Sequence, residues 1–196
     1  MVSSVSLICL AMFSLSSASC PVEGQLPPLE SVVALVRSTI TSQGEVFDRE
    51  NPWYRLGDFN GDGLQDLAVL VLVESGREEL RKHGVHYIDI DPFSKKNGSE
   101  VDPLIDMGHH CLGLVIIHGS SRSWNGAMRG APFLFYDCFS ACRVIRRGTR
   151  LGGDCSGRRS PVLKGDALQL ELETGGQSLV YWNGRTYRGF CQRNGD

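Results

Sequence analysis

The sequence predicts an α+β fold, a twisted and mainly antiparallel sheet of about six strands with an N-terminal helix packed on one face. Three observations carry this. Leu29, Val32, Val33, Val36 and Ile40 recur at helical spacing. Leu67 to Val73 is an unbroken apolar, β-rich run. Near the C-terminus, Asn183-Gly184 sits between two more β-rich runs, a strong hairpin signal.

The helix is expected over "LESVVALVRSTITSQG", with Pro28 suited to its first turn and Gly44 to its stop. "DRENPWYRL" reads as a loop. Leu67–Val73 has no polar interruption, so it reads as an interior strand buried on both faces. "ESGREELRKHG" is charged and reads as a short solvated helix or turn, and the Pro/Gly-punctuated tract 89–110 as a long surface loop. "CLGLVIIHG" is a second buried strand, and "APFLFYDCFSACRVIRR" is one long or two broken strands. In "DALQLELET" Leu168, Leu170 and Leu172 alternate with Gln169, Glu171 and Glu173, the pattern of a half-exposed strand. Ser178–Tyr187 closes the chain as a hairpin turning at Asn183-Gly184. Glycine, at 23 residues, is abundant and fits many turns and short strands.

A chain of 196 residues suffices for one domain with a proper core. Residues 1–19 carry no charged side chain, and the apolar run Val5–Leu15 is signal-peptide length, followed by small residues. The domain reading is a signal peptide at 1–19, a linker at 20–28 and a single globular domain at 29–196. Export implies a periplasmic or extracellular protein. Cleavage before Cys20 leaves six cysteines, an even number that suits disulfides. Of these, Cys142 and Cys155 are expected to pair across "CRVIRRGTRLGGDC", which reads as a strand, a turn and a return. Cys20 has a competing use, since "SSASC" resembles a bacterial lipobox whose cysteine becomes a lipid-modified N-terminus. Membrane association is expected only by that route. A net charge of -2 gives no electrostatic reason to expect nucleic acid.

The chemistry concentrates in "GDFNGDGLQDLAVLVLV", residues 57–73. Asp58, Asn60, Asp62 and Asp66 occupy positions 1, 3, 5 and 9 of a D-x-N-x-D-G-x-x-D loop, with Gly63 at the reversal. Side-chain oxygens at alternate positions, with the Leu64 carbonyl at position 7, can wrap one hard cation. Ca²⁺ suits such a set, since it takes oxygen ligands in flexible geometry. Three crowded carboxylates without a cation would repel one another. An EF-hand needs a bidentate Glu at position 12 and flanking helices, but that position is Val69 and the loop feeds a strand.

The loop resembles the FG-GAP/VCBS type of integrin-like calcium loop, in which "DxNxDGxxD" precedes an apolar strand, and Gly57 and Phe59 fit its flanks. The resemblance covers only about seventeen residues and implies Ca²⁺ held by Asp58, Asn60, Asp62, Leu64 and Asp66. A single copy rules against a complete propeller. "LVYWNGRTYRGF" also looks like the closing hairpin of small secreted bacterial proteins that carry one such loop, a likeness that implies no activity.

Two functions from different classes follow. One is an exported calcium-binding structural or binding module whose client is an unknown protein or glycan. The other is a small secreted hydrolase using residues of the His-rich region 83–118, which holds His83, His86, His109, His110 and His118. No H-E-x-x-H or G-x-S-x-G pattern supports the second. Trp53, Tyr54, Trp124, Tyr181, Trp182 and Tyr187 could line a sugar- or peptide-binding surface, although alternate aromatics in a strand more often pack in the core. Arg143, Arg146, Arg147, Arg150, Arg158 and Arg159 form a basic stretch expected to be solvated surface.

Overall fold

The structure is a computed structural model that describes residues 26–40, 45–48, 50, 52–72, 77–88, 112–137, 139–152, 159–172 and 176–192. The expected leader, Cys20, the tract 89–110 with His109 and His110, Gly44 and Cys155 lie outside these residues.

Sheet dominates. Among the described residues there are two helices, α1 (Leu29–Thr39) and α2 (Arg77–Lys82), and ten strands. The strands form two sheets where the sequence pattern suggested one of about six. The first contains β1 (Glu45–Val46), β2 (Tyr54–Gly57), β3 (Asp66–Leu72), β4 (His86–Ile88), β5 (Leu112–Ile117) and β6 (Phe133–Asp137). Its order is β1-β3-β5-β6-β4, with β2 also on β3, and only the β4–β6 pairing is parallel. The second is fully antiparallel, in the order β10-β9-β8-β7, from β7 (Phe139–Ile145), β8 (Ala167–Leu172), β9 (Gln177–Trp182) and β10 (Tyr187–Gln192). No helix among the described residues is long and apolar enough to cross a membrane.

Strand β3 is interior, as its apolar run requires. It pairs with β5 along one side and with β2 and β1 in succession along the other. Its side chains alternate between two buried clusters. Leu67, Val69 and Val71 join Val32, Val36 and Ile40 from the N-terminal region and Val115, Ile117 and Leu134. Ala68 and Leu70 join Leu114, Ile116 and Phe135, together with Leu168, Leu170 and Val180 from the second sheet. The period of two therefore feeds a core on each face. Each such side chain, fully buried, contributes about 1.5–3 kcal/mol.

Three expectations are corrected, and for 131–147 one of two alternatives is found. "DRENPWYRL" is not all loop, because Tyr54–Leu56 belong to β2. The long segment 131–147 supplies two strands, β6 and β7, and they belong to different sheets. Gln169 on β8 is buried, not solvated. Its amide oxygen accepts from Arg143 Nε at 2.6 Å and its Nε2 donates to Gln177 at 2.7 Å, which makes burial of a polar group tolerable. Cys142 is a free thiol, so the Cys142–Cys155 disulfide does not form. Its side chain packs against the cluster between the sheets, opposite Leu170 in register, and burial pushes the thiol far up from its ordinary value.

The C-terminal hairpin forms with Trp182 opposite Tyr187, leaving Asn183 to Thr186 as the loop. Asn183 Oδ1 accepts the N–H groups of Arg185 and Thr186 at 2.9 and 3.0 Å, and Gly184 takes a φ of 100°.

Candidate functional site

The acidic loop spans Asp58 to Gln65 and joins two paired strands, since Gly57 of β2 is the register partner of Asp66 of β3. Both ends are therefore fixed by a ladder. Within the loop, side-chain oxygens turn back onto the main chain. Asp58 Oδ2 accepts from Gly63 N–H at 3.0 Å, Asn60 Oδ1 from Asp62 N–H at 3.0 Å, and Asp62 Oδ1 from Leu64 N–H at 2.8 Å. Asn60 Nδ2 donates to Asp62 Oδ2 at 2.9 Å, and the Arg129 guanidinium donates to that same oxygen. One atom is left over. Asp58 Oδ1 is buried and has no hydrogen-bond partner among the described residues.

The carboxylates differ sharply in environment. Burial alone would raise the Asp62 carboxyl, but the Leu64 N–H, the Arg129 guanidinium and the Asn60 amide together hold it below its ordinary value. Asp66 is fully buried. Its Oδ2 accepts from Phe59 N–H at 2.9 Å and Asn60 N–H at 3.2 Å, and its Oδ1 accepts from Gly119 N–H at 3.1 Å. Burial pushes this carboxyl up to about 7 against the pull of those N–H groups, with the Asp62 charge adding to the rise. Three of roughly four acceptor positions on Asp66 are taken by backbone. At most one remains for a cation. Among the described residues, no three His, Cys, Asp or Glu side chains converge as a ready-made metal cluster.

The loop is clamped from outside by groups that the sequence pattern did not flag. Asp166 N–H donates to the Asp58 carbonyl at 2.7 Å, while the Asp166 carboxylate accepts from Arg146 at 2.8 Å and from Arg147 N–H at 3.0 Å. On the other flank Gln65 N–H donates to the Ser121 carbonyl at 3.0 Å, and Trp124 N–H to Gln65 Oε1 at 2.7 Å. Two glycines permit this approach. A Cβ on Gly61, which has a φ of 78°, would collide with the Lys164 carbonyl, and one on Gly119 would collide with the Gln65 carbonyl oxygen. Asp166 has no other acid within four residues on either side and belongs to no ligand spacing, so nothing in the sequence announced its role.

Beside the loop lies a cavity of ≈ 380 Å³, lined in part by Asn60, Asp62, His86, His118, Arg129, Phe133 and Trp182. The rings of His118, Phe133 and Trp182 pack together with that of Tyr187. Phe133 and Tyr187 centroids are 4.9 Å apart, and those of Trp182 and Tyr187 are 5.0 Å apart. His118 Nε2 is 2.9 Å from the Tyr187 hydroxyl. Burial pushes the imidazole down to about 4, with the Arg129 charge adding to the fall. Burial likewise raises the Tyr187 phenol well above its ordinary value, helped by the nearby Asp66, Asp58 and Asp62 charges.

The structure thus gathers Asp58, Asn60, Asp62, Leu64 and Asp66 on one loop, but with Asp66 turned largely into the fold. The aromatic residues disperse: Tyr54 and Trp124 pack on the first cluster, Trp53, Trp182 and Tyr187 belong with the second, and Tyr181 packs on a third. From the His-rich region, His86 and His118 reach the cavity. Arg143 and Arg146 of the basic stretch are held by Gln169 and Asp166. No protein-family model matches the chain, and neither a curated protein nor a solved structure is significantly similar to it.

Proposed function

We propose that the chain is an exported calcium-binding structural or binding module, in which the loop 58–66 holds one Ca²⁺ and serves a protein or glycan client. The observation that carries this reading is Asp58 Oδ1, a buried carboxylate oxygen with no hydrogen-bond partner among the described residues. An orphaned charged acceptor costs about 1–3 kcal/mol or more, and a cation removes that cost. Asp58, Asn60, Asp62, the Leu64 carbonyl and the one remaining acceptor position of Asp66 are the oxygens that would hold it. When bound, the ion supplies positive charge to a cluster whose other local cation is the Arg129 guanidinium at Asp62. The FG-GAP/VCBS-like spacing agrees with this reading, as do the backbone turns onto Asp58, Asn60 and Asp62.

The role is structural and not catalytic. Helix α1 contributes Val32 and Val36 to one core and is read as the layer closing that face of the first sheet. The leader at 1–19 directs export, and the module meets a membrane only if Cys20 is lipidated. The hydrolase alternative draws on His86 and His118 lining one cavity. It is weakened by His118, whose Nε2 is engaged by Tyr187 and whose imidazole is held neutral by burial.

Calcium titration followed by calorimetry tests the reading. One site with a dissociation constant of roughly 10⁻⁴ to 10⁻³ M is expected, lost in Asp58→Ala. The absence of any calcium-dependent heat at millimolar concentration would refute it.

A further inference from the structure

We propose that the cavity beside the loop is a saccharide subsite that seats one neutral pyranose ring between the Phe133 and Trp182 rings and the Asn60–Asp62–Arg129 wall. This rests on the calcium reading for its metal dependence, because Asn60 and Asp62 belong to both the loop and the wall.

The size, ≈ 380 Å³, lies within the ordinary range of small-ligand pockets. The chemistry of the walls is split. Phe133 and Trp182 meet edge to face at 5.8 Å, are both half-buried, and present apolar surface to the cavity. The negative π-cloud of an aromatic ring attracts the C–H-rich face of a sugar, and since Phe133 already stacks on His86 at 5.0 Å, Trp182 is the ring proposed to take that role. The Asn60, Asp62 and Arg129 part of the lining is polar and internally neutralised, since the Arg129 guanidinium is already bound to the Asp62 carboxylate. An anionic ligand would have to detach Arg129 from Asp62, and a cationic one would have to displace Arg129 itself. A purely apolar ligand would strip water from Asn60, Asp62 and Arg129 and return no hydrogen bonds. A ligand carrying an apolar ring face and a circle of hydroxyl donors and acceptors satisfies both walls at once. His118 does not charge in the neutral range, so it adds no electrostatic bias toward acids.

Calcium enters through Asp62. A cation that draws on its oxygens weakens their hold on the guanidinium, and the Arg129 N–H groups then turn to sugar hydroxyls. The coupling predicts tighter saccharide binding in calcium than in chelator.

The test uses the full chain and four probes, the methyl glycosides of glucose, galactose, mannose and N-acetylglucosamine. Binding is read by saturation-transfer NMR and calorimetry in calcium and in EDTA, with benzoate as an anionic comparison. At least one glycoside is expected to bind in calcium, with transfer concentrated on one ring face, and about tenfold more weakly in EDTA. Arg129→Gln, at an exposed side chain, should weaken binding about tenfold. Trp182→Ala should abolish it, and Trp182→Phe should restore part of it. The saccharide proposal is overturned if calcium heat is present but none of the four glycosides binds, if benzoate binds more tightly, or if Arg129→Gln binds as wild type does. Equal binding in calcium and EDTA, with calcium heat present, overturns the coupling. Glycoside binding without any calcium heat sinks the calcium reading and upholds the subsite alone.

Discussion

Asp66 and Gly119 are 53 residues apart in the chain and are joined by a 3.1 Å hydrogen bond from the Gly119 N–H to a carboxylate that no solvent reaches. That bond ties the end of the acidic loop to the segment after β5, and through it to the cavity that His118 lines.

Calcium should therefore stabilise the whole domain and not the loop alone. At a free concentration about 100 times the dissociation constant, binding adds about 2.7 kcal/mol. For a chain of this size that is a rise in melting temperature of roughly 5–11 °C. Asp62→Ala should erase the rise, while Arg188→Ala on β10 should leave it intact. Scanning calorimetry in calcium and in chelator measures it.

Asp66→Asn keeps the shape but replaces an acceptor with a donor that faces main-chain N–H groups. At pH 8 in chelator, urea unfolding should show a loss of about 1–3 kcal/mol. An unchanged midpoint would mean that the three N–H bonds do not hold the loop.

His118 predicts an acid limb. Its folded pKa of about 4 lies below the unfolded value of 6.5, so the folded state binds the proton less readily. The stabilisation is present above pH 6.5 and is lost as the pH falls through about 4. Asp66, raised to about 7, has the opposite sign: its contribution is present below 3.8 and is lost as pH rises through 7. Subtracting the pH profile of His118→Gln from that of wild type, both in chelator, isolates the histidine. The difference should shrink steadily from pH 6.5 to pH 4.

Gly119→Ala places a methyl against the Gln65 carbonyl oxygen. Overpacking at backbone cannot be relieved by a rotamer change, so the cost should reach or exceed about 3 kcal/mol. Gly126→Ala is a sterically open comparison that carries only the penalty of its φ of 79°. If the two variants melt together, the close approach of Gly119 to Gln65 has no energetic consequence.

Cys142 should resist alkylation in the folded protein and react fully in denaturant, because burial disfavours its thiolate. Mass mapping after native-state labelling reads the outcome, and rapid labelling without denaturant would contradict the packing described.

The longest apolar signals were legible. Leu67–Val73 announced an interior strand because both of its faces are covered by different clusters, and the spacing of Leu29, Val32 and Val36 announced α1. The acidic loop was legible for the same local reason, since its residues lie within nine positions. Strands β1, β2 and β4 were not, because two to four residues are too few to show a period. The second sheet was also hidden. Nothing local in "FLFYDCFSACRVI" says that its two halves join different sheets. The supports of the site, Asp166, Gln65, Gly119 and Tyr187, reach it through contacts distant in sequence, and neither spacing nor composition encodes those. Cys142 was misjudged because a turn after the strand says nothing about which face the cysteine occupies.

The alternation of β3 between two cores constrains how this chain can change length. One residue inserted between Asp66 and Leu67 would, with Asp66 held in place, send Leu67, Val69 and Val71 to the side built for Ala68 and Leu70, spoiling both interiors together. With the strand held in register instead, it would carry Asp66 out of reach of its three N–H donors. An insertion at the exposed tip around Asp62 and Gly63 disturbs neither core, although it breaks the spacing of the proposed calcium loop. Descendants of this sequence can therefore trade one loop for another between the same two strands, but the strand that follows must keep its count.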